Sequence, residues 1–221
     1  MEWILLLLSL AITILAQAYI NSAYKKTSKI HSKCEMKGSE VARKILDANG
    51  LFDVKINEIN GELTDHYDPR NKTVNLSLDI YHDKTIAAAS VAAHECGHAI
   101  QDKNGYLFLR VRRAIIPIVN IASKLGYVSI LIGVFAGLLN FIWIGIILEL
   151  VILLFQVITL PVEFNASRRA LKQLEELSIL DKKEKSQATG MLRAAALTYV
   201  ASVATSLLQI LRLLAMVQRR D

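Results

Sequence analysis

The stretch that decides the architecture of this chain covers residues 125–160 and reads LGYVSILIGVFAGLLNFIWIGIILELVILLFQVITL. Its only charged residue is Glu149. One helix of this length would extend about 54 Å, whereas the hydrocarbon core of a bilayer is about 30 Å thick. We therefore predict a transmembrane hairpin over residues 114–160, with a tight turn near residues 139–141.

Two further apolar segments lie outside this hairpin. Residues 3–20 carry no charge, and we interpret residues 1–22 as an uncleaved transmembrane anchor. A cleaved signal peptide is the alternative, but such a peptide needs a basic region, and only the acidic Glu2 precedes the run. Residues 191–218 predict a transmembrane or membrane-associated helix. Its scattered small polar residues suit packing between membrane helices, and an amphipathic helix lying on the bilayer stays an alternative.

The overall composition agrees with a membrane protein. Hydrophobic residues make up 53% of the chain and charged residues 21%, below the roughly 25% charge of soluble domains. The net charge of +6 favours loops that face anionic lipid. Aromatic residues are too few for a nucleic-acid stacking platform, so we expect no nucleic-acid partner. Two cysteines cannot form a disulfide framework.

Basic residues predict the orientation in the membrane. Three basic groups flank the apolar segments. The first group follows the first apolar run and comprises Lys25, Lys26 and Lys29. The second precedes the hairpin and comprises Arg110, Arg112 and Arg113, and the third follows the hairpin and comprises Arg168, Arg169 and Lys172. By the positive-inside rule, these segments face the cytoplasm. Arg219 and Arg220 would lie outside if the last helix crossed the membrane, which is one reason to doubt a full fourth crossing.

Residues 23–113 form the predicted cytoplasmic domain. Its predicted elements are an amphipathic helix over residues 39–48, strands over 52–59 and 73–78, and a helix over about 84–103. Asp83 is the predicted N-cap of the last helix. Residues 161–190 are predicted to hold a helix followed by a surface loop over 181–190.

The helix over residues 84–103 contains His94-Glu95-Cys96-Gly97-His98. Imidazoles four residues apart share one helix face and can bind the same ion. Zinc accepts imidazole nitrogen and lowers the pKa of a bound water, and Glu95 is adjacent to take its proton. The alternative is a pair of histidines that are simply satisfied inside a helix bundle.

A catalytic zinc site usually has three protein ligands. The other histidines have no helical partner: His31, His66 and His82. Glu163 follows a hairpin that crosses the membrane twice, so the chain returns to the membrane surface of His94 and His98. We therefore predict Glu163 as the third ligand of one zinc ion. The alternative is an interfacial carboxylate that pairs with Arg168 or Arg169.

Three segments carry a family resemblance: HECGHAIQ at residues 94–101, PVEFNASRRA at 161–170 and DHYDPR at 65–70. Over nearly the whole chain the sequence resembles the YugP-type family of neutral membrane zinc metallopeptidases. It is more loosely similar to membrane gluzincins such as HtpX, which bind zinc through two histidines and a downstream glutamate. The resemblance implies that His94, His98 and Glu163 bind the metal and that Glu95 is the general base.

The sequence departs from these patterns at two positions. The family more often has an aspartate where Asn165 stands, and the HtpX-like pattern has one where Ser167 stands. Such an aspartate would orient a ligand histidine. This orienting role is therefore unassigned from the sequence, whereas the predicted zinc ligands are all present.

Supporting roles are predicted more broadly. In similar enzymes an edge strand pairs with the substrate backbone, and residues 74–78 are the candidate here. An oxyanion stabiliser is also needed, and the candidates are His66, Tyr67, His82 and Arg168. Cys96 is interpreted as a packing residue. For Glu149 we expect a polar contact between helices, with Arg212 or Lys124 as alternative partners.

Together these inferences predict a mainly α multi-pass membrane protein with a small α+β zincin-like metallopeptidase domain. We expect a cell-membrane location, an active site facing the cytoplasm and one Zn²⁺ ion. The expected partners are a polypeptide substrate and the lipid bilayer, and the expected activity is endopeptidase hydrolysis through a zinc-activated water. The alternative is a non-catalytic membrane scaffold with a structural metal site, which would have four protein ligands. A transporter is less favoured, because the sequence shows no pair of interrupted spans.

Overall fold

The computed structural model describes residues 2–219, so Arg220 lies outside the described residues. The elements in chain order are α1 (Glu2–Thr27), α2 (Gly38–Ala48), β1 (Lys55–Ile59), β2 (His66–Asp68), β3 (Thr73–Ser77), α3 (Leu78–His82), α4 (Ile86–Lys103), α5 (Leu107–Phe135), α6 (Leu139–Glu176) and α7 (Lys182–Gln218). The described part of the chain is thus mainly helical, with one small three-stranded sheet. Within residues 2–219, four helices are long and apolar enough to cross a membrane: α1, α5, α6 and α7.

The chain divides into two compact units. The first, here called the apolar unit, comprises Met1–Ala18, Arg110–Pro161 and Leu197–Asp221. The second, here called the α+β unit, comprises Tyr19–Leu109 and Val162–Ala196. All four of the long helices, α1, α5, α6 and α7, contribute residues to both units.

The hairpin of the apolar unit turns earlier than the sequence predicts. Helix α5 ends at Phe135 and α6 begins at Leu139, so the predicted turn near residues 139–141 is wrong by about one helical turn. The reason is Gly137, which adopts a φ of 72°. Glycine reaches this left-handed conformation without steric cost and commonly stops a helix there.

Small residues bring α5 and α6 together within the apolar unit. A Cβ added at Gly133 would lie 2.8 Å from the backbone nitrogen of Ile142, a closeness typical of membrane helix interfaces. Ile142 packs with residues of α7 such as Leu213. Glu149 is hydrogen-bonded to Ser206 of α7. This agrees with the expected polar contact between helices, but the partner is Ser206 and not Arg212 or Lys124.

The sheet of the α+β unit has the order β1-β3-β2. Strand β3 pairs in parallel with β1 and antiparallel with β2. The prediction that residues 74–78 form an edge strand is therefore wrong, because β3 is central and its backbone is paired on both sides. The sequence did not predict β2 (His66–Asp68), which has only three residues and is defined by its pairing with β3.

Helix α4 crosses the core of the α+β unit. Its N-cap is Thr85, whose Oγ1 accepts a hydrogen bond from the backbone N–H of Ala88 at 3.1 Å. Asp83, the predicted cap, instead ends the short helix α3, which the sequence did not predict. Alanines along α4 are fully buried and keep the helix thin enough for neighbouring elements to approach.

The predicted surface loop over residues 181–190 is wrong, because α7 begins at Lys182. Asp181 Oδ1 accepts hydrogen bonds from the backbone N–H groups of Lys183 and Glu184, each at 2.8 Å. The Glu184 carboxylate accepts one in return from the backbone N–H of Asp181 at 2.9 Å. This reciprocal capping starts a helix in a charged segment whose composition alone resembles a loop.

Candidate metal centre

The candidate metal centre lies within the α+β unit, on one face of α4. His94 and His98 are one helical turn apart, and their ring centroids are separated by 4.9 Å. Glu163 of α6 faces both rings. Its Oε2 lies 3.3 Å from Nε2 of His94 and 3.7 Å from Nε2 of His98. The structure thus brings together the three residues that the sequence analysis selects as ligands.

Gly97 sets the distance between α4 and α6. A Cβ added at this position would lie only 2.6 Å from the carbonyl oxygen of Ala166. Any larger residue would have to displace the backbone of α6. The glycine between the two histidines therefore allows the helix that carries Glu163 to approach them.

Glu163 is a buried anion in this arrangement, with an exposed fraction of 3%. Burial alone would raise the pKa of Glu163, but the hydrogen bond with His94 and the close contact with His98 outweigh it. These contacts hold the pKa well below its ordinary value of 4.5. The carboxylate is consequently ionised and can neutralise part of the charge of a divalent cation.

The three side chains fit a zinc ion. Their ligand atoms all lie within 4.8 Å of one another. Tetrahedral zinc with ligands at about 2.0–2.1 Å would place neighbouring ligand atoms about 3.3 Å apart, close to the observed 3.3 and 3.7 Å. Two imidazoles and one carboxylate also match a common catalytic zinc set. Among residues 2–219, no fourth His, Cys, Asp or Glu joins this group.

Each imidazole has a second polar contact on its other ring nitrogen. His94 Nδ1 lies 3.2 Å from the hydroxyl of Ser167, and His98 Nδ1 lies 3.0 Å from Oε1 of Gln101. Ser167 is therefore the residue beside His94 at the position for which the sequence analysis assigned no orienting partner. Sequence reasoning missed Gln101, and the available signal was a polar amide three residues after His98 on a helix rich in apolar residues.

The structure places the other predicted residues as follows. Glu95 is buried with 7% exposed and adjoins His94 on α4, and its role as a base stays a prediction. Three of the four oxyanion candidates have other contacts: Tyr67 donates to Asp102 at 3.0 Å, His82 pairs with Glu58 at 2.8 Å, and His66 contacts Asn75 at 3.2 Å. Arg168, the fourth, is exposed.

Cys96 belongs to the hydrophobic core of the α+β unit. Its thiol donates to the carbonyl oxygen of Ala42 at 3.6 Å, and burial raises the pKa of the thiol above its ordinary value of 9.0. A buried, protonated thiol of this kind packs as a small apolar group. The expectation that Cys96 is a packing residue agrees with this position.

Comparison with known proteins identifies the family of this chain. Residues 2–218 match the family described as "Putative neutral zinc metallopeptidase". The chain is also 44% identical over 204 residues to the "Putative membrane protease YugP" of Bacillus subtilis (strain 168), covering 92% of this chain and 91% of that relative. No solved structure matches the chain significantly. The chain belongs to this family, which confirms the resemblance seen in the sequence.

Proposed function

We propose that this protein is a membrane-bound zinc endopeptidase. The observation that carries the proposal is the convergence of His94, His98 and Glu163 on one point within the α+β unit. The family description and the name of the Bacillus relative support the same activity. The four long apolar helices support a location in the cell membrane.

Each residue has a distinct chemical task in this proposal. His94 and His98 would present their Nε2 atoms to the metal, and Glu163 would supply the negative charge. Zinc, when bound, lowers the pKa of water and polarises a peptide carbonyl. Glu95 would accept a proton as the peptide bond is attacked and pass it to the departing amine.

The proposed orientation places the active site on the cytoplasmic side. It rests on the basic residues that follow the first and third apolar segments and precede the second. A peptidase so oriented would act on polypeptides that are reachable from the cytoplasm.

The alternative function is a non-catalytic scaffold with a structural zinc ion. Structural sites are normally closed by four protein ligands, whereas catalytic sites keep one position open. The described residues offer three ligands in this group. The donor set therefore favours the catalytic proposal.

The substitution Glu95→Gln tests the proposed activity. Loss of a general base costs roughly 10²–10⁴-fold in rate, so we expect cleavage of an unfolded polypeptide such as casein to fall by at least about 100-fold. Zinc content should remain near that of the wild type, because this substitution leaves the three ligands intact. The measurement uses inverted membrane vesicles, in which the cytoplasmic face is outermost.

Glu62→Gln is the matched control, since Glu62 is an exposed carboxylate and its loss should leave cleavage unchanged. Full turnover by the Glu95→Gln variant would refute the role of Glu95. Cleavage of added substrate only by vesicles of the opposite orientation would refute the cytoplasmic placement.

A further inference from the structure

A chain of buried hydrogen bonds leads away from His98 within the α+β unit. Gln101 is completely buried, and its Oε1 lies 3.0 Å from Nδ1 of His98. Its Nε2 donates to the backbone oxygen of Val162 at 2.8 Å and to Oδ1 of Asn165 at 3.0 Å. The same Oδ1 accepts a hydrogen bond from Nε of Arg169 at 2.7 Å.

The donor and acceptor properties of these groups allow only one arrangement of the hydrogen bonds between Arg169 and His98. An arginine guanidinium only donates, so the atom of Asn165 that faces Arg169 must be the oxygen. That oxygen and the Val162 carbonyl only accept, so Gln101 must turn its NH₂ group towards them. The amide oxygen of Gln101 is then left to face His98, and it accepts the proton on Nδ1.

We infer that Arg169, Asn165 and Gln101 form a directional relay that fixes the tautomer and ring orientation of His98. Nδ1 carries the proton bonded to Gln101, and Nε2 is held as the atom that faces Glu163. Gln101 is thus a positioning residue of the metal centre. The inference rests on the proposed function, because it assigns Nε2 of His98 to the zinc ion.

His94 provides an internal contrast. Its Nδ1 contacts the hydroxyl of Ser167, which can donate or accept and therefore imposes no direction. Asparagine offers the same accepting Oδ1 that an aspartate would offer to Gln101 and Arg169.

The test measures the zinc dissociation constant of the purified full-length protein by competition with a chelator. Loss of the partner of a ligating histidine typically weakens metal binding 10–100-fold, so we expect Gln101→Met to weaken zinc binding by about this factor. Asn165→Leu should weaken it by roughly 10-fold, since Val162 still orients Gln101. Asn165→Asp keeps the acceptor and should bind zinc like the wild type.

Two further readouts separate positioning from packing. In the zinc-loaded wild type, the His98 Nδ1 proton should give a slowly exchanging resonance by NMR, and this signal should be lost in Gln101→Met. The control is Gln173→Met: Gln173 accepts a hydrogen bond from Asn49 rather than from a histidine, so zinc binding should be unchanged. If Asn165 only fills space, Asn165→Leu should bind zinc at least as tightly as Asn165→Asp.

The possible outcomes are distinct. If the wild type binds no zinc, the proposed function fails. If the wild type binds zinc and both Gln101→Met and Asn165→Leu bind it equally well, the relay is refuted while the zinc site stands. If Gln101→Met does not fold, the zinc affinities of the two Asn165 variants decide. Tighter zinc binding by Asn165→Asp than by Asn165→Leu supports the relay, and equal or reversed affinities overturn it.

Discussion

Leu174 and Leu154 lie on the same helix, α6, but in different units. Leu174 belongs to the core of the α+β unit and is fully buried, whereas Leu154 of the apolar unit is 59% exposed. The same contrast holds between Ile45, which is fully buried, and Ile118, which is 58% exposed. The α+β unit therefore has a large core built from its own residues. The apolar unit has a smaller buried cluster around Ile142 and leaves many long apolar side chains exposed, as contact with lipid would require.

Polar groups of the candidate metal centre are buried in the α+β unit. The α+β unit holds Gln101 and Glu163 inside its core, and both have hydrogen-bond partners there. A self-contained core of this kind can hold ligand side chains rigidly, which a metal centre requires. In our proposal, the long apolar helices of the other unit attach the protein to the membrane instead.

The largest predicted difference between the two units is in the free energy of unfolding after Leu174 and Leu154 are each replaced by alanine. Leu174→Ala should lower the free energy of unfolding by about 2–5 kcal/mol, because it leaves a cavity in a close-packed core. Leu154→Ala should cost less than about 1 kcal/mol, because lipid or detergent contacts the side chain before and after the change. Reversible denaturation in mild detergent measures both, and equal losses would contradict the division into two kinds of core.

An intermediate effect is expected at the contact between α4 and α6. Gly97→Ala places a methyl group against the Ala166 backbone, and such overpacking typically costs about 1–3 kcal/mol. The substitution should also weaken zinc binding, because it moves Glu163 away from the histidines. Unfolding and zinc titration of the same sample check the prediction, and unchanged zinc affinity would show that α6 does not need this close approach.

The smallest effect is expected at Gly190 of α7. A Cβ there meets nothing within 4 Å, and replacing a glycine inside a helix with alanine usually stabilises by about 0.5–1 kcal/mol. Gly190→Ala should therefore raise the unfolding midpoint slightly and leave zinc binding unchanged. A destabilised Gly190→Ala protein would indicate that this helix segment is more crowded than the structure shows.

The sequence was most informative where a short spacing or the topology determines geometry. The four-residue spacing of His94 and His98 and the predicted double crossing before Glu163 were enough to select three side chains that lie together in the structure. Their role as zinc ligands stays a prediction. The apolar parts of the four long helices were also recognisable from their composition and length, whereas the start of α7 at Lys182 was not.

The sequence was less informative where contacts between distant segments determine structure. Strand β2 depends on pairing with β3, and β3 became central for the same reason. The capping pair Asp181 and Glu184 outweighed the loop-like composition of its segment. Gln101 could not be assigned a role, because its partners Val162 and Asn165 come from a helix about sixty residues further along the chain.

The zinc dissociation constant of the Glu163→Ala variant tests the central claim most directly. We expect the wild type to bind one zinc ion per chain. Glu163→Ala should raise the zinc dissociation constant by more than the roughly 10–100-fold that is typical when a residue hydrogen-bonded to a ligand is removed. Glu176→Ala, which removes an exposed carboxylate from the same helix, should bind zinc like the wild type. Unchanged zinc affinity in Glu163→Ala would contradict the proposed metal centre.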